Sequence, residues 1–260
     1  MSYDVAYDPG LKPADLEEIQ GGDDGPSLWL IADRDGRLYD LSGNRFQATN
    51  SGGVTSGRGP WGPIATYDGT GGATSVPWPF GAATTFTVMG WLRPMNSSQH
   101  AVLIDQRSAA STGFVVFANH TTGVVNIYSW TANLTVAGAT NVFDGKLHHI
   151  AAVFDRATYS LFVDGKQEGS PQGPYVGYAN SSFRIAEDYA GGCYPQQSDG
   201  LQLYSRVVSP SEIARWATAP YSQLDDEDDD LVAIATRPGP VLGSRVISCP
   251  FIRASRRRTA

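Results

Sequence analysis

The stretch from Phe143 to Gly169, FDGKLHHIAAVFDRATYSLFVDGKQEG, constrains the fold of this chain more than any other. Successive side chains of a strand point to opposite faces, so Ile150, Ala152 and Phe154 share one face of a first strand. Tyr159, Leu161 and Val163 share one face of a second. Asp155 to Thr158 supplies a short polar turn between them, and Asp164-Gly165 supplies residues that tolerate the positive φ of a tight hairpin. These residues predict an antiparallel meander with an apolar face on each strand.

The same run resembles the signature hairpin of laminin-G-like domains, the concanavalin A-like jelly rolls whose usual form is DGKWHHVAAVYDG…LYVDG. Three more stretches follow the order of that family: DLSGN at Asp40 to Asn44, FTVMGWLRP at Phe86 to Pro94, and DGLQLYSRVVSPSEI at Asp199 to Ile213. Together they span residues 27–218. Leu147 departs from the pattern, standing where the family usually has Trp. The resemblance implies an all-β fold, an antiparallel β-sandwich of the concanavalin A-like lectin/glucanase type, with extended N- and C-terminal arms outside it.

Composition agrees. With 260 residues and 41% apolar content the chain can bury a sizeable core, and all-β sandwiches of this length form single domains. Twenty-nine glycines and 16 prolines against 17% charged residues suit many short strands and turns. The net charge of -7 excludes a nucleic-acid partner, which needs a basic field to displace counterions from phosphates. MSYDVAYDPGLKPADLEEI lacks the basic start and apolar run of an export signal, and no stretch is apolar enough for membrane insertion. The expected location is therefore a virion surface if the chain is phage-encoded, and otherwise the cytoplasm. Without secretion, the sequons at Asn96, Asn119, Asn133 and Asn180 read as polar loop residues. Cys193 and Cys249 are far apart in sequence; free thiols are expected, with pairing left open.

Three segments follow. Residues 1–26 form an N-terminal arm with one helical signal, Pro13 to Ile19, ended by Gly21-Gly22. Residues 27–218 form the sandwich, closed by SPSEIARWA. There Ser209 can cap, Pro210 suits the first helical position and Glu212 the third of a capping box, with Ile213 and Trp216 on one face. Residues 219–260 form an acidic-then-basic C-terminal arm, running from Asp225 to Asp230 through two apolar stretches to Arg256-Arg257-Arg258. Val241, Val246, Ile247, Phe251 and Ile252 suit strand addition to an exposed sheet edge, and the three arginines suit carboxylates on a partner.

Catalytic patterns are absent. The alternating Glu-x-Asp-x-(x)-Glu of laminarinase-type glycosidases does not occur, nor does Gly-x-Ser-x-Gly. Gly57 to Gly62, GRGPWG, matches Gly-x-Gly-x-x-Gly without the strand-turn-helix that gives the motif its meaning. His148 and His149 are strand neighbours pointing to opposite faces, so they read as structural, and His100 and His120 lie in loops without partners at ligand spacing. No cofactor is required. Calcium is the one ion with support, through the hard oxygens of Asp40 and Asn44 in DLSGN, against the alternative of an Asx turn tied to itself. Ligand-binding candidates are the rings of Trp61, Trp78, Trp130, Tyr189 and Tyr194, which on a lectin-like scaffold can stack on sugars or anchor a protein. Trp91 reads as core.

Function is expected to be non-enzymatic. The first reading is a structural or display protein of a large assembly, a bacteriophage virion surface component (capsid decoration, fibre or tail) held by its arms to other subunits as a homo-oligomer or particle. The alternative is a free carbohydrate-binding or adhesion module with a glycan partner. Both draw on fold-level analogy.

Overall fold

The computed structural model describes residues 25–218 apart from 96–97, 109–111 and 131. The helical signal at Pro13 to Ile19 and every expectation for 219–260, including Val241, Val246, Ile247, Phe251, Ile252 and Arg256 to Arg258, lie outside the described residues.

In chain order the strands are β1 (Leu28–Ala32), β2 (Leu38–Asp40), β3 (Thr49–Asn50), β4 (Val54–Arg58), β5 (Pro63–Asp68), β6 (Thr74–Pro77), β7 (Thr85–Pro94) and β8 (Ala101–Asp105). They continue with β9 (Phe114–Ala118), β10 (Val124–Ser129), β11 (Leu134–Asn141), β12 (His148–Asp155), β13 (Thr158–Val163), β14 (Lys166–Gln172), β15 (Ser182–Ile185) and β16 (Pro195–Tyr204), and a helix, α1 (Pro210–Thr218), follows. A nine-stranded sheet runs β14-β13-β12-β7-β16-β1-β2, with β5 also paired to β16 and β4 to β5. A seven-stranded sheet runs β11-β10-β9-β8-β15-β6-β3. All the pairings are antiparallel, and the two sheets form the expected sandwich.

The meander forms as its alternation predicts. Ile150, Ala152 and Phe154 pair with Val163, Leu161 and Tyr159, and all six bury in the core between the sheets. Aromatic rings fill its centre, Phe154 lying 4.4 Å from Phe86 and 4.6 Å from Phe114. Trp78, a candidate binding ring from sequence, belongs here instead. It is 7% exposed, edge-on to Phe80, Phe86, Phe114 and Phe183, with its indole N–H donating to the Gly81 carbonyl at 2.9 Å. Tyr175 is core as well.

The opposite face of the nine-stranded sheet is also covered. Trp29, Met89, Ala151, Val153, Phe162 and Tyr204 pack with Val208 beneath Ile213 and Trp216 of α1. This is why IAAVF in β12 shows no polar alternation: both faces of the strand are buried there. The helix starts in the capping box read from sequence. Ser209 Oγ accepts from the Glu212 amide at 3.3 Å, and Glu212 Oε2 accepts from the Ser209 amide at 2.9 Å.

Turns follow residue chemistry. Asp164 and Gly165 take φ of 49° and 80°, and a Cβ on Gly165 would stand 2.9 Å from Ala214 Cα, so the turn is also the helix's seat. Gly57 to Gly62 joins β4 to β5 as a strand-turn-strand hairpin, closed by Gly59 N–H to Gly62 O at 2.8 Å, so the glycine motif has no phosphate-binding geometry. One side of the sandwich is closed by Glu168 on β14, which accepts from the Ala139 and Thr140 amides of β11 at 2.7 and 3.1 Å.

Candidate functional site

At one end of the seven-stranded sheet, β8 and β10 both terminate and the β15–β16 loop passes over β8. The strand AVLID is buried throughout and ends in Asp105, which is 0% exposed. Such a carboxylate must be paired. Arg107, two residues on, folds back to supply the charge: its Nε donates to Oδ1 at 2.7 Å, its Nη2 to Oδ2, and its amide to Oδ1 at 2.9 Å. The Tyr189 amide donates to Oδ2 at 3.0 Å, so Asp105 ties the β15–β16 loop to β8.

The guanidinium then meets two rings. Its carbon lies 4.5 Å from the Tyr189 ring centre and 5.4 Å from that of Trp130, which follows β10. Trp130 is braced by the Tyr128 ring at 4.5 Å and by its own amide donating to Gly113 O at 3.1 Å. Trp130 and Tyr189 are half-buried, presenting partly open rings around a neutralised pair. The indole Nε1 of Trp130 is buried and has no hydrogen-bond partner among the described residues.

Tyr194 joins from the far end of the same loop. Its hydroxyl donates to Asp188 Oδ2 at 2.7 Å, and burial, with that carboxylate beside it, pushes the phenol well above its usual value. Asp188 Oδ1 also accepts from the Ala190 and Gly192 amides, each at 2.9 Å, which shapes the loop. Arg184 donates to the Arg107 carbonyl at 3.1 Å and lies 3.5 Å from Glu187.

Three of the five candidate rings, Trp130, Tyr189 and Tyr194, thus converge on one loop cluster. Their organiser, Arg107, was not among the candidates; the available signal was an Asp-x-Arg pair directly after a wholly apolar run. Trp61 sits elsewhere, on the β4–β5 hairpin, 4.6 Å from Trp91. Trp91 pairs with His149 on one side and Asp199 on the other, forming a transverse row on the outer face of the nine-stranded sheet. His149 is 2% exposed, and burial drives its imidazole down to about 4. His148 faces the other way, 2.8 Å from Asp164 and 3.0 Å from Asp144, so both histidines are structural.

His100 and His120, separate in the sequence reading, are brought together with rings 4.6 Å apart and the His120 amide donating to His100 Nδ1 at 3.2 Å. No group of three or more metal-ligating side chains occurs among the described residues. The calcium candidates do not fit a cation. Asp40 already accepts from the Trp29, Ser42 and Phe46 amides and the Ser42 hydroxyl, and Asn44 turns its amide N–H to the Ser27 carbonyl at 2.9 Å. This is the self-tied turn. Cys193 is half-buried and forms no disulfide among the described residues, outside which Cys249 lies.

A family model described as the concanavalin A-like lectin/glucanases superfamily matches residues 67–214, more than half of the chain. The chain belongs to that superfamily. No curated protein sequence matches it. Among solved structures, domain 4 of AbnA, an extracellular GH43 arabinanase of Geobacillus stearothermophilus solved with arabinotriose, is similar at 17% identity and a TM-score of 0.62, covering 74% of this chain and 98% of that one. The binding domain of Paraclostridial Mosquitocidal Protein 1 is similar at 14% identity and a TM-score of 0.62, covering 75% and 52%. The binding domain of botulinum neurotoxin serotype D is similar at 10% identity and a TM-score of 0.58, covering 75% and 52%. The chain spans about half the length of the two toxin domains. At these identities the likeness is one of fold. No helix among the described residues is long and apolar enough to cross a membrane.

Proposed function

We propose that this chain is a non-enzymatic recognition module that binds carbohydrate at the Trp130–Arg107–Tyr189 platform. The observation that carries the reading is the convergence of half-open rings on a guanidinium, beside a buried indole N–H with no partner among the described residues. Ring faces stack on the C–H face of a sugar. The similar arabinanase domain, solved with arabinotriose, supports a saccharide. Catalysis is disfavoured by the state of the nearby acids. Asp105 is held by Arg107, Glu187 lies against Arg184, and Asp188 accepts from three donors, so each is committed to a contact within the fold.

The test is a glycan panel against the full chain. Binding should appear without release of reducing ends, and Trp130→Ala should weaken it at least about tenfold, as loss of a central ring does at binding hot spots. Unchanged binding in that variant removes the site. A second reading, display of this module on a virion or other particle, is favoured by the sequence of residues 219–260, where an acidic run, an alternating apolar stretch and three arginines suit attachment to neighbouring subunits.

A further inference from the structure

The Asp105–Arg107 pair bears on which sugars the platform accepts. A free guanidinium clamps carboxylates through two parallel N–H groups along one edge. In Arg107 the Nε and Nη2 edge is occupied by Asp105, which is wholly buried and also holds the Tyr189 amide. A ligand carboxylate is left only the Nη1–Nη2 edge, and there it meets a guanidinium whose charge Asp105 already neutralises. The other charged groups at the site are the carboxylates of Glu187 and Asp188 and a second arginine, Arg184, lying 3.5 Å from Glu187. Here the carboxylates of Asp105, Glu187 and Asp188 outnumber the guanidiniums of Arg107 and Arg184, which disfavours a carboxylated sugar. What the site offers instead suits a neutral sugar: the partly open ring faces of Trp130 and Tyr189.

We infer that the platform selects uncharged saccharides over carboxylated ones, with Asp105 as the positioning residue that withholds Arg107 from anionic ligands. This rests on the carbohydrate reading of the same site.

The experiment uses the full chain and matched probes that differ only by an acidic group: lactose with 3′-sialyllactose, and oligogalactosides with oligogalacturonides, alongside arabinotriose. Titration calorimetry should show the neutral member of a pair bound at least about tenfold more tightly, one unit of log Kd. In Asp105→Asn the charge that neutralises Arg107 is removed, and the ratio should move about tenfold toward the acidic member, with a salt dependence that the native neutral binding lacks. Should Asp105→Asn fail to fold, judged by loss of a cooperative melt, the wild-type ratio decides alone. Equal or tighter binding of the acidic member, lost in Trp130→Ala, overturns the selectivity while leaving the site in place. No binding to any probe, or binding indifferent to Trp130→Ala, overturns both.

Discussion

His148 shows how one residue can hold two turns. It is buried between Asp164 at 2.8 Å and Asp144 at 3.0 Å, on the loops that open and close the β12–β13 hairpin. The hydrogen bond that Asp164 accepts, joined by the one Asp144 accepts and by both negative charges, outweighs burial and raises the imidazole above its ordinary 6.5. Asp144 is lowered by His148 and by the Lys146 amide. Asp164 is pushed up by burial, but the bonds from His148 and the His149 amide outweigh that and leave it lowered. The histidine's contribution is fully present below pH 6.5 and is lost as pH rises through its raised folded value. The aspartates' contributions are present above their ordinary 3.8 and are lost as pH falls through their lowered folded values. The urea midpoint difference between wild type and His148→Gln should therefore be greatest between about pH 4 and 6.5 and shrink on the alkaline side. A difference flat from pH 5 to 9 would remove the charged clip. Trp78 makes the complementary case: Trp78→Ala should cost about 3–5 kcal/mol in denaturant unfolding, because it empties the ring cluster between the sheets. The Trp and Tyr candidates were legible by residue type alone, which does not distinguish a core ring from a platform ring. That distinction depends on which strand face each occupies, and periodicity is blind to it once both faces are covered.

At the level of elements, the β12–β13 hairpin and α1 were readable because local chemistry and tertiary packing agree there. Alternation, an Asp-Gly turn with positive φ and a Ser-Pro-x-Glu start all act within a few residues. The pairing of β16 with both β7 and β5, and the approach of the β15–β16 loop to β8, join residues as many as 133 apart, and no local pattern encodes them. The cap on α1 carries a measurable share of stability. Glu212 is brought down to about 2 by its bonds with Arg206, then by the Ser209 amide and hydroxyl, against burial. Its folded value is depressed, so this contribution is present above about pH 4.5 and is lost as pH falls toward 2. Ser209→Ala should cost about 1 kcal/mol at neutral pH. Glu212→Gln should lose less at pH 3 than at pH 7, which chemical denaturation at the two values would read. Equal losses would mean that Glu212 acts by shape and not by charge.

For the whole molecule, the described sandwich closes on itself. Glu168 straps β14 to β11 on one side, and α1 covers the outer face of the larger sheet around Trp29 and Trp216, whose rings meet at 5.6 Å. Its described strands run from Leu28 to Tyr204 and its described helix covers Pro210–Thr218, and among the described residues these elements and the loops joining them build both hydrophobic clusters. A fragment of residues 27–218 is therefore expected to remain soluble and to melt in one cooperative transition, read by β-type circular dichroism. Aggregation of the fragment while the full chain folds would assign the C-terminal arm to the core. If the fragment folds, the arm is free for another task, and its charge order argues for attachment. By sequence, the acidic run, the apolar stretch Val241 to Ile252 and the cations Arg253 and Arg256 to Arg258 suit strand addition to, and ion pairing with, an acidic neighbouring surface. Deleting residues 219–260 should then abolish self-association, or incorporation into a particle, in sedimentation experiments. Glycan binding at Trp130 should persist in the same sample, since the platform is built within the sandwich. Assembly that survives the deletion would free the arm of that role, and loss of both properties together would show that the arm supports the fold.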